Sequence, residues 1–265
     1  MVQKAVVCPH CKQIIGSEEK VCSWCGAPRR FGLSRIIAST FSAVDLPIKG
    51  ILSVTIIMYG LSLLLSISGG EGFLSPGDHA LIQLGATGTY PLAMYGRYDS
   101  LITAIYLHGG LLHLLFNMMA LTQLGPLVSQ VFGSSRMFSI YTLSGIIGFI
   151  VSYFGGVPLT IGASGSICGL AGALYVFGKQ RGGSYGFAIN RDIGGWVVGL
   201  FLFGLIIPGI NNWAHAGGLI GGGLTALLLG YNERGRERLI HHGLAVLLAI
   251  LTLMAMVWSF ISVIR

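Results

Sequence analysis

The segment Gly162-Ala163-Ser164-Gly165-Ser166 opens an apolar stretch of this sequence. A serine hydroxyl at a helix N-terminus, flanked by glycines, has open space around it and the positive dipole end beside it. Such a hydroxyl becomes a nucleophile when a histidine reaches it as general base. His215 opens another apolar stretch, in Trp213-Ala214-His215. A third stretch carries His113 and Asn117, four residues apart and so on one helical face. Both could donate to an oxyanion, together with the backbone amide of Ser164. His108, Gly162, Gly165 and Cys168 are the further residues expected to line this region. A second chemistry sits at the N-terminus, in Cys8-Pro-His-Cys11 and Cys22-Ser-Trp-Cys25. Two CxxC pairs so spaced suit a tetrahedral thiolate Zn2+ site, with a disulfide pair or a redox site as the alternatives. Four sulfurs close the shell, so His10 is expected to stay out of it. A segment this short and nearly coreless needs its metal in order to fold.

The elements that must position these residues are membrane helices. Of 265 residues, 53% are hydrophobic and only 9% charged, against about 25% charged in soluble domains. The 41 glycines point to helices packed closely in lipid. The opening Met-Val-Gln-Lys is not the start of a cleavable signal peptide. Apolar runs near bilayer length predict seven spans: 51–67, 104–124, 137–154, 164–177, 193–207, 213–229 and 243–263. The fourth and fifth are short. With the N-terminus inside, 14 of the 16 Lys and Arg residues fall on the cytoplasmic side, all but Arg97 and Arg265. The net charge of +7 is thus a topology signal, and nucleic acid is disfavoured as a partner. A cytoplasmic ribbon keeps its thiols reduced, which favours metal over disulfide. The segment 68–103 is a long outer loop, expected to enter the membrane in part.

Orientation brings the chemistry to one depth. Spans two, four and six all run inward, so Ser164, His215, His113 and Asn117 fall in one outer layer. Polar groups there are costly and mark function. Taken singly, each has a plainer reading: the serine is an N-cap, and the histidines and Asn117 are interhelical glue. Their conjunction carries the argument. Gly165/Gly169 on span four and Gly217/Gly221 and Gly218/Gly222 on span six let these two helices approach closely. None of the nine acidic residues lies within a predicted span, so the expectation is a Ser–His dyad, with the ring held by packing or another hydrogen bond.

These residues resemble the rhomboid intramembrane serine proteases. His108-Gly-Gly-Leu-Leu-His113-Leu-Leu-Phe-Asn117 is similar to the family's second-helix motif, Gly162-Ala163-Ser164-Gly165 to its GxSG motif, and Ala214-His215 with Gly218 and Gly222 to its AHxxGxxxG motif. The resemblance implies an all-α membrane protein with a six-helix core and an active site open to the extracytoplasmic side. It implies Ser164 as nucleophile, His215 as general base, and His113 and Asn117 as oxyanion donors, with no cofactor for catalysis. It implies single-pass transmembrane proteins as substrates, a half-inserted hairpin after span one, and a gate and cap formed by the fifth helix and residues 208–212. The sequence departs from the family at Asp99-Ser100, where Trp-Arg is usual, at Ser129, where glutamate is usual, and at Cys168, often an aromatic under the histidine.

The expected organisation is a cytoplasmic zinc ribbon (1–30), a basic linker (31–46), the rhomboid core (47–230), and a loop with an extra seventh helix (231–265). The protein is expected in the cell membrane, in contact with the lipid bilayer, with a protein partner for the ribbon left open. The competing readings are a catalytically silent rhomboid-like protein that escorts membrane clients, and a transporter. The intact Ser164 and His215 oppose the first. The absence of an intramembrane acid or lysine opposes the second.

Overall fold

The computed structural model describes residues 5–7, 14–16, 21–23, 45–67, 74–230 and 237–264. The chain divides into two compact units, 1–43 and 44–265. In the first unit, β1 (Ala5–Val7) pairs antiparallel with β2 (Ile14–Gly16), Val7 facing Ile14. Cys22 is buried. Cys8, His10, Cys11 and Cys25 lie outside the described residues. Among the described residues no cluster of three His, Cys, Asp or Glu gathers to hold a metal.

The second unit is helical. Among the described residues it has seven helices of 18 residues or more: α1 (Leu46–Ser66), α5 (Leu111–Phe132), α6 (Ser134–Phe154), α7 (Ser164–Arg181), α8 (Gly183–Ile206), α9 (Asn212–Leu229) and α10 (Leu239–Ile264). Between α1 and α5 lie α2 (Asp78–Gln83), α3 (Thr89–Tyr95), α4 (Ser100–Thr103) and a 3-10 turn over Ala104–Tyr106. Five of the long helices are long and apolar enough to cross a bilayer: α1, α5, α6, α8 and α10. With its apolar composition, this makes the chain an integral membrane protein. Helices α7 and α9 fall outside that group: α9 is rich in glycine and opens with Asn212 and His215, and α7 ends in Lys179-Gln180-Arg181.

Several predicted boundaries move. The second span, expected from Ala104, begins at Leu111, since residues 104–106 form the separate 3-10 turn. The fifth, expected to be short and to begin at Ile193, is a helix of 24 residues starting at Gly183. Asp192 therefore lies inside a long helix, contrary to the expectation that no acid does. Its carboxylate pairs with Arg191 at 3.0 Å, and both side chains are exposed.

Large side chains fill the centre between α1, α5, α6 and α7: Ile48, Leu121, Phe132, Ile140, Tyr141 and Leu170 are all almost fully buried. The other half of the bundle is packed on glycine. A Cβ on Gly218 would strike the carbonyl of Gly165, one on Gly222 the backbone of Gly169, and one on Gly172 the Leu219 carbonyl. Helices α7 and α9 thus touch backbone to backbone, the means by which helices associate where lipid offers no hydrophobic drive. Helix α8 is the contrast, with 6% of its apolar span buried.

The segment between α1 and α5 is fixed by polar contacts. Arg97 binds Asp99 through two nitrogens, at 2.9 to 3.2 Å. Its Nη2 also donates to Ser259 Oγ on α10 at 2.9 Å. Where the family resemblance left the anchoring of Asp99-Ser100 open, this ion pair and the extra helix supply it. Thr87 and Thr160 form an isolated antiparallel bridge, and the Gly162 amide donates to the Ala104 carbonyl at 2.8 Å. The segment therefore holds the loop that leads into Ser164. At the other end of α6, where Ser129 offers no carboxylate, Glu237 accepts the Arg136 amide at 2.8 Å, so an acid still faces the positive end of that helix.

Candidate active site

Ser164 is the first residue of α7, after Ala163 at the cap position, and no side chain caps that end. The first-turn amides of a helix have no intrahelical acceptor, so here they remain as donors beside the Ser164 hydroxyl. Gly162 turns the chain into this position at φ +117°, a left-handed conformation that suits glycine. His215 lies in the first turn of α9 and is 3% exposed. Its Nε2 stands 2.9 Å from Ser164 Oγ. That distance follows from the glycine seam: a Cβ on Gly148 of α6 would stand 2.7 Å from the Ala214 carbonyl oxygen, and one on Gly165 of α7 3.3 Å from it. The residue before His215 is thus wedged between two helices.

The other face of the imidazole is held by residues that spacing did not reveal. Nδ1 lies 3.3 Å from Asn212 Oδ1, and the Asn212 amide donates to the Phe201 carbonyl at 3.2 Å. The Phe201 ring stands edge-on to the imidazole, centroids 6.2 Å apart. Gly204 faces the Asn212 carboxamide so closely that a Cβ there would collide with it. With Asn212 accepting from Nδ1–H, Nε2 is left unprotonated toward Ser164, as a general base requires. Asp192 takes no part, since it lies nine residues before Phe201, about 13 Å along α8. Asn211 caps α9 by accepting the Ala214 amide at 3.1 Å, and its own amide donates to Ser152 Oγ and Thr160 Oγ1 at 2.6 and 2.9 Å.

His113 reaches the same place from α5. A Cβ on Gly162 would lie 2.8 Å from His113 Nε2 and 4.0 Å from Ser164 Oγ, so the ring and the hydroxyl flank one glycine. His108 is fully buried and rests against His113 at 4.8 Å, with no aligned partner for either ring nitrogen. Asn117 is buried, and its amide donates to the His113 carbonyl one turn back at 2.8 Å. It makes no hydrogen bond to Ser164 or His215. Cys168 is buried one turn below Ser164 and forms no disulfide.

Residues 95–232, just over half of the chain, match the model of the Rhomboid domain. The chain belongs to the rhomboid family. It is 35% identical over 189 residues to "Rhomboid protease GluP" of Bacillus subtilis, covering 71% of this chain and 36% of that protein. To "RHOMBOID-like protein 6, mitochondrial" of Arabidopsis thaliana it is 33% identical, over 60% of this chain and 51% of the relative. "Putative rhomboid protease YdcA" of Bacillus subtilis is 37% identical, over 50% of this chain and 68% of its own length. The chain therefore spans about a third to a half of the first two relatives. The rhomboid match contains Ser164, His215, His113, Asn117 and Asn212. It stops short of α10 and of the N-terminal cysteines.

Asn212 was within reach of the sequence, because it lies three residues before His215 on one helical face. Phe201 and Gly204 were not, since they meet His215 and Asn212 respectively from another helix.

Proposed function

We propose that this rhomboid is an intramembrane serine endopeptidase. It hydrolyses peptide bonds in or near the transmembrane segments of single-pass proteins, at a site facing the extracytoplasmic side. The observation that carries this reading is the 2.9 Å contact between Ser164 Oγ and His215 Nε2, at a helix N-terminus with uncapped amides. Ser164 Oγ attacks the scissile carbonyl carbon while His215 Nε2 takes its proton. The carbonyl oxygen becomes an oxyanion, met by the Ser164 amide and by His113 and Asn117. On collapse the C–N bond breaks, and His215 returns the proton to the leaving amine. Water, deprotonated by the same imidazole, then releases the acyl group and restores Ser164. Asn212 keeps the ring in its tautomer throughout, in the place a carboxylate holds in a triad. The catalytic steps use only this chain's residues and water.

The topology that goes with this reading has the N-terminus in the cytoplasm of a cell-membrane protein, six core helices and α10 as a seventh. The ribbon reading is kept with it: Cys8, Cys11, Cys22 and Cys25 hold a structural Zn2+. The pairing of β1 with β2, which brackets the first CxxC pair, supports it.

The test is cleavage of a membrane-helix substrate by the purified full chain. Wild type should cleave, and Ser164→Ala and His215→Ala should not; cleavage that persists in Ser164→Ala overturns the proposal. A fluorophosphonate should label wild type alone, and labelling that survives His215→Ala refutes the dyad. Metal analysis should return one zinc per chain, whereas metal-free protein with titratable thiols would end the ribbon assignment.

A further inference from the structure

Asn211 and Asn212 are neighbours with different contacts. Asn212 holds the His215 ring, whereas Asn211 uses its whole carboxamide on the scaffold around it. Its Oδ1 accepts the Ala214 amide at 3.1 Å. Its amide hydrogens go to Ser152 Oγ at 2.6 Å and to Thr160 Oγ1 at 2.9 Å. The orientation is forced. The Ala214 amide can only donate, so the oxygen must face it and the NH2 group must face the two hydroxyls. One planar group thus joins three elements: Ser152 near the end of α6, Thr160 in the loop after it, and Ala214 in the first turn of α9. All three residues are buried, where hydrogen bonds are electrostatically stronger than in water.

Two of these elements carry the dyad. Thr160 stands four residues before Ser164, in the loop that turns through Gly162 into α7. The far side of this loop is held by backbone. Thr87 and Thr160 exchange two hydrogen bonds, at 2.6 and 3.1 Å, and the Thr89 and Tyr90 amides donate to the Val157 and Pro158 carbonyls at 2.9 and 3.1 Å. The side toward α9 is met by Asn211. Ala214 immediately precedes His215, whose own amide donates to the Asn211 carbonyl at 3.1 Å. Asn211 therefore accepts two first-turn amides of α9 and, through the same side chain, grips the loop of the nucleophile. The glycine contacts between α7 and α9 set how near the two helices lie. The carboxamide sets how their first turns stand relative to each other. Capping alone would not require this. An N-cap needs one acceptor oxygen, which serine or threonine supplies as well. The NH2 group of Asn211 is the part that a cap leaves unused.

We infer that Asn211 is a positioning residue for the reaction, with Thr160 its counterpart on the nucleophile's side: the bond between them holds Ser164 Oγ and His215 Nε2 at attacking distance. Asn212 fixes the tautomer of the ring, and Asn211 fixes where the ring stands. This role rests on the proteolytic reading of Ser164 and His215.

The experiment separates cap from strut. Asn211→Ser keeps an acceptor for the cap but is too short to reach Thr160. Thr160→Val keeps the shape of the side chain and leaves the cap untouched, but removes the hydroxyl; Thr160→Ser restores it. Full-chain variants are compared in steady-state cleavage of a membrane-helix substrate, with active enzyme titrated by a fluorophosphonate, and in the rate of that labelling. All assays run well below every melting midpoint. Thr160→Val and Asn211→Ser should each lower kcat and the labelling rate about tenfold with KM unchanged, on the scale where a 1 Å misplacement costs about 10². The double variant should lose little more than Asn211→Ser alone, and Thr160→Ser should recover most of the wild-type rate. Wild-type rates in Thr160→Val, a loss confined to the melting midpoint or the titrated fraction, or losses that multiply in the double variant would each overturn the inference. Cleavage by wild type and none by Ser164→Ala would leave the proteolytic reading standing in those cases. A wild type that neither cleaves nor is labelled refutes both. Where Asn211→Ser does not fold, Thr160→Val and Thr160→Ser carry the test.

Discussion

Asn212 gives the sharpest test of how this site holds its base. Its contact to His215 Nδ1 is a neutral hydrogen bond of 3.3 Å, of a kind that contributes about 1 kcal/mol net. Asn212→Ala should therefore lower kcat by about five- to tenfold and leave KM unchanged. The ring loses one restraint but keeps Phe201 and the packing of Ala214. Removing the buried carboxylate of a full triad instead costs about 10⁴. Gly204 offers a second route to the same bond. The three atoms nearest a methyl there all belong to the Asn212 carboxamide. The carboxamide can rotate away, so Gly204→Ala should fold normally and show the same loss as Asn212→Ala. The double variant should be no worse than either single one, since both remove one interaction. The assay is steady-state cleavage of a fluorogenic membrane-helix substrate, paired with the rate of fluorophosphonate labelling. Unchanged kcat in Asn212→Ala, a loss beyond about 10³, or additive effects in the double variant would each refute an orienting role.

Three further outcomes are expected. Gly222→Ala drives a methyl into the Gly169 backbone, and overpacking of this kind costs about 1–3 kcal/mol or more; its thermal midpoint should fall well below that of wild type, checked by a melting curve in detergent. Arg97→Ala leaves Asp99, 11% exposed, without its partner and should cost about 3–5 kcal/mol, whereas Ser259→Ala removes one hydrogen bond and should cost about 1–2 kcal/mol; denaturant titration should rank them in that order. Asn211→Ala removes the α9 cap, a loss of about 1 kcal/mol, together with the bonds to Ser152 and Thr160, and limited proteolysis should reveal faster cleavage in the 155–163 loop.

The site was legible where one helix carried the signal. Ser164 announced itself by its position at a helix start, and His113 and Asn117 by their spacing. His215 could be set beside Ser164 because a count of Lys and Arg fixed helix direction and the glycines fixed which helices approach. What lies on a third helix was hidden, since nothing in the chain links Phe201 or Gly204 to a residue on α9. Helix α8 was cut short because Asn190, Arg191 and Asp192 interrupt its apolar run. Its first turns form nonetheless, as Gly178 and Gly186 bring the ends of α7 and α8 into backbone contact. The anchoring of Asp99 was illegible for a similar reason, because its partner Arg97 is held by Ser259, 162 residues along the chain.

The glycine seam has a mechanical consequence. Side-chain interfaces can slide, because rotamers readjust as helices tilt to suit bilayer thickness. Where Gly165, Gly169 and Gly172 meet Gly218, Gly222 and Leu219, no side chain is left to take up a displacement. Stretching or thinning the membrane should then move α8 and α10 around α7 and α9 while the spacing of Ser164 and His215 stays constant. The molecule separates into a stiff spindle that carries the chemistry and a compliant shell that senses the lipid.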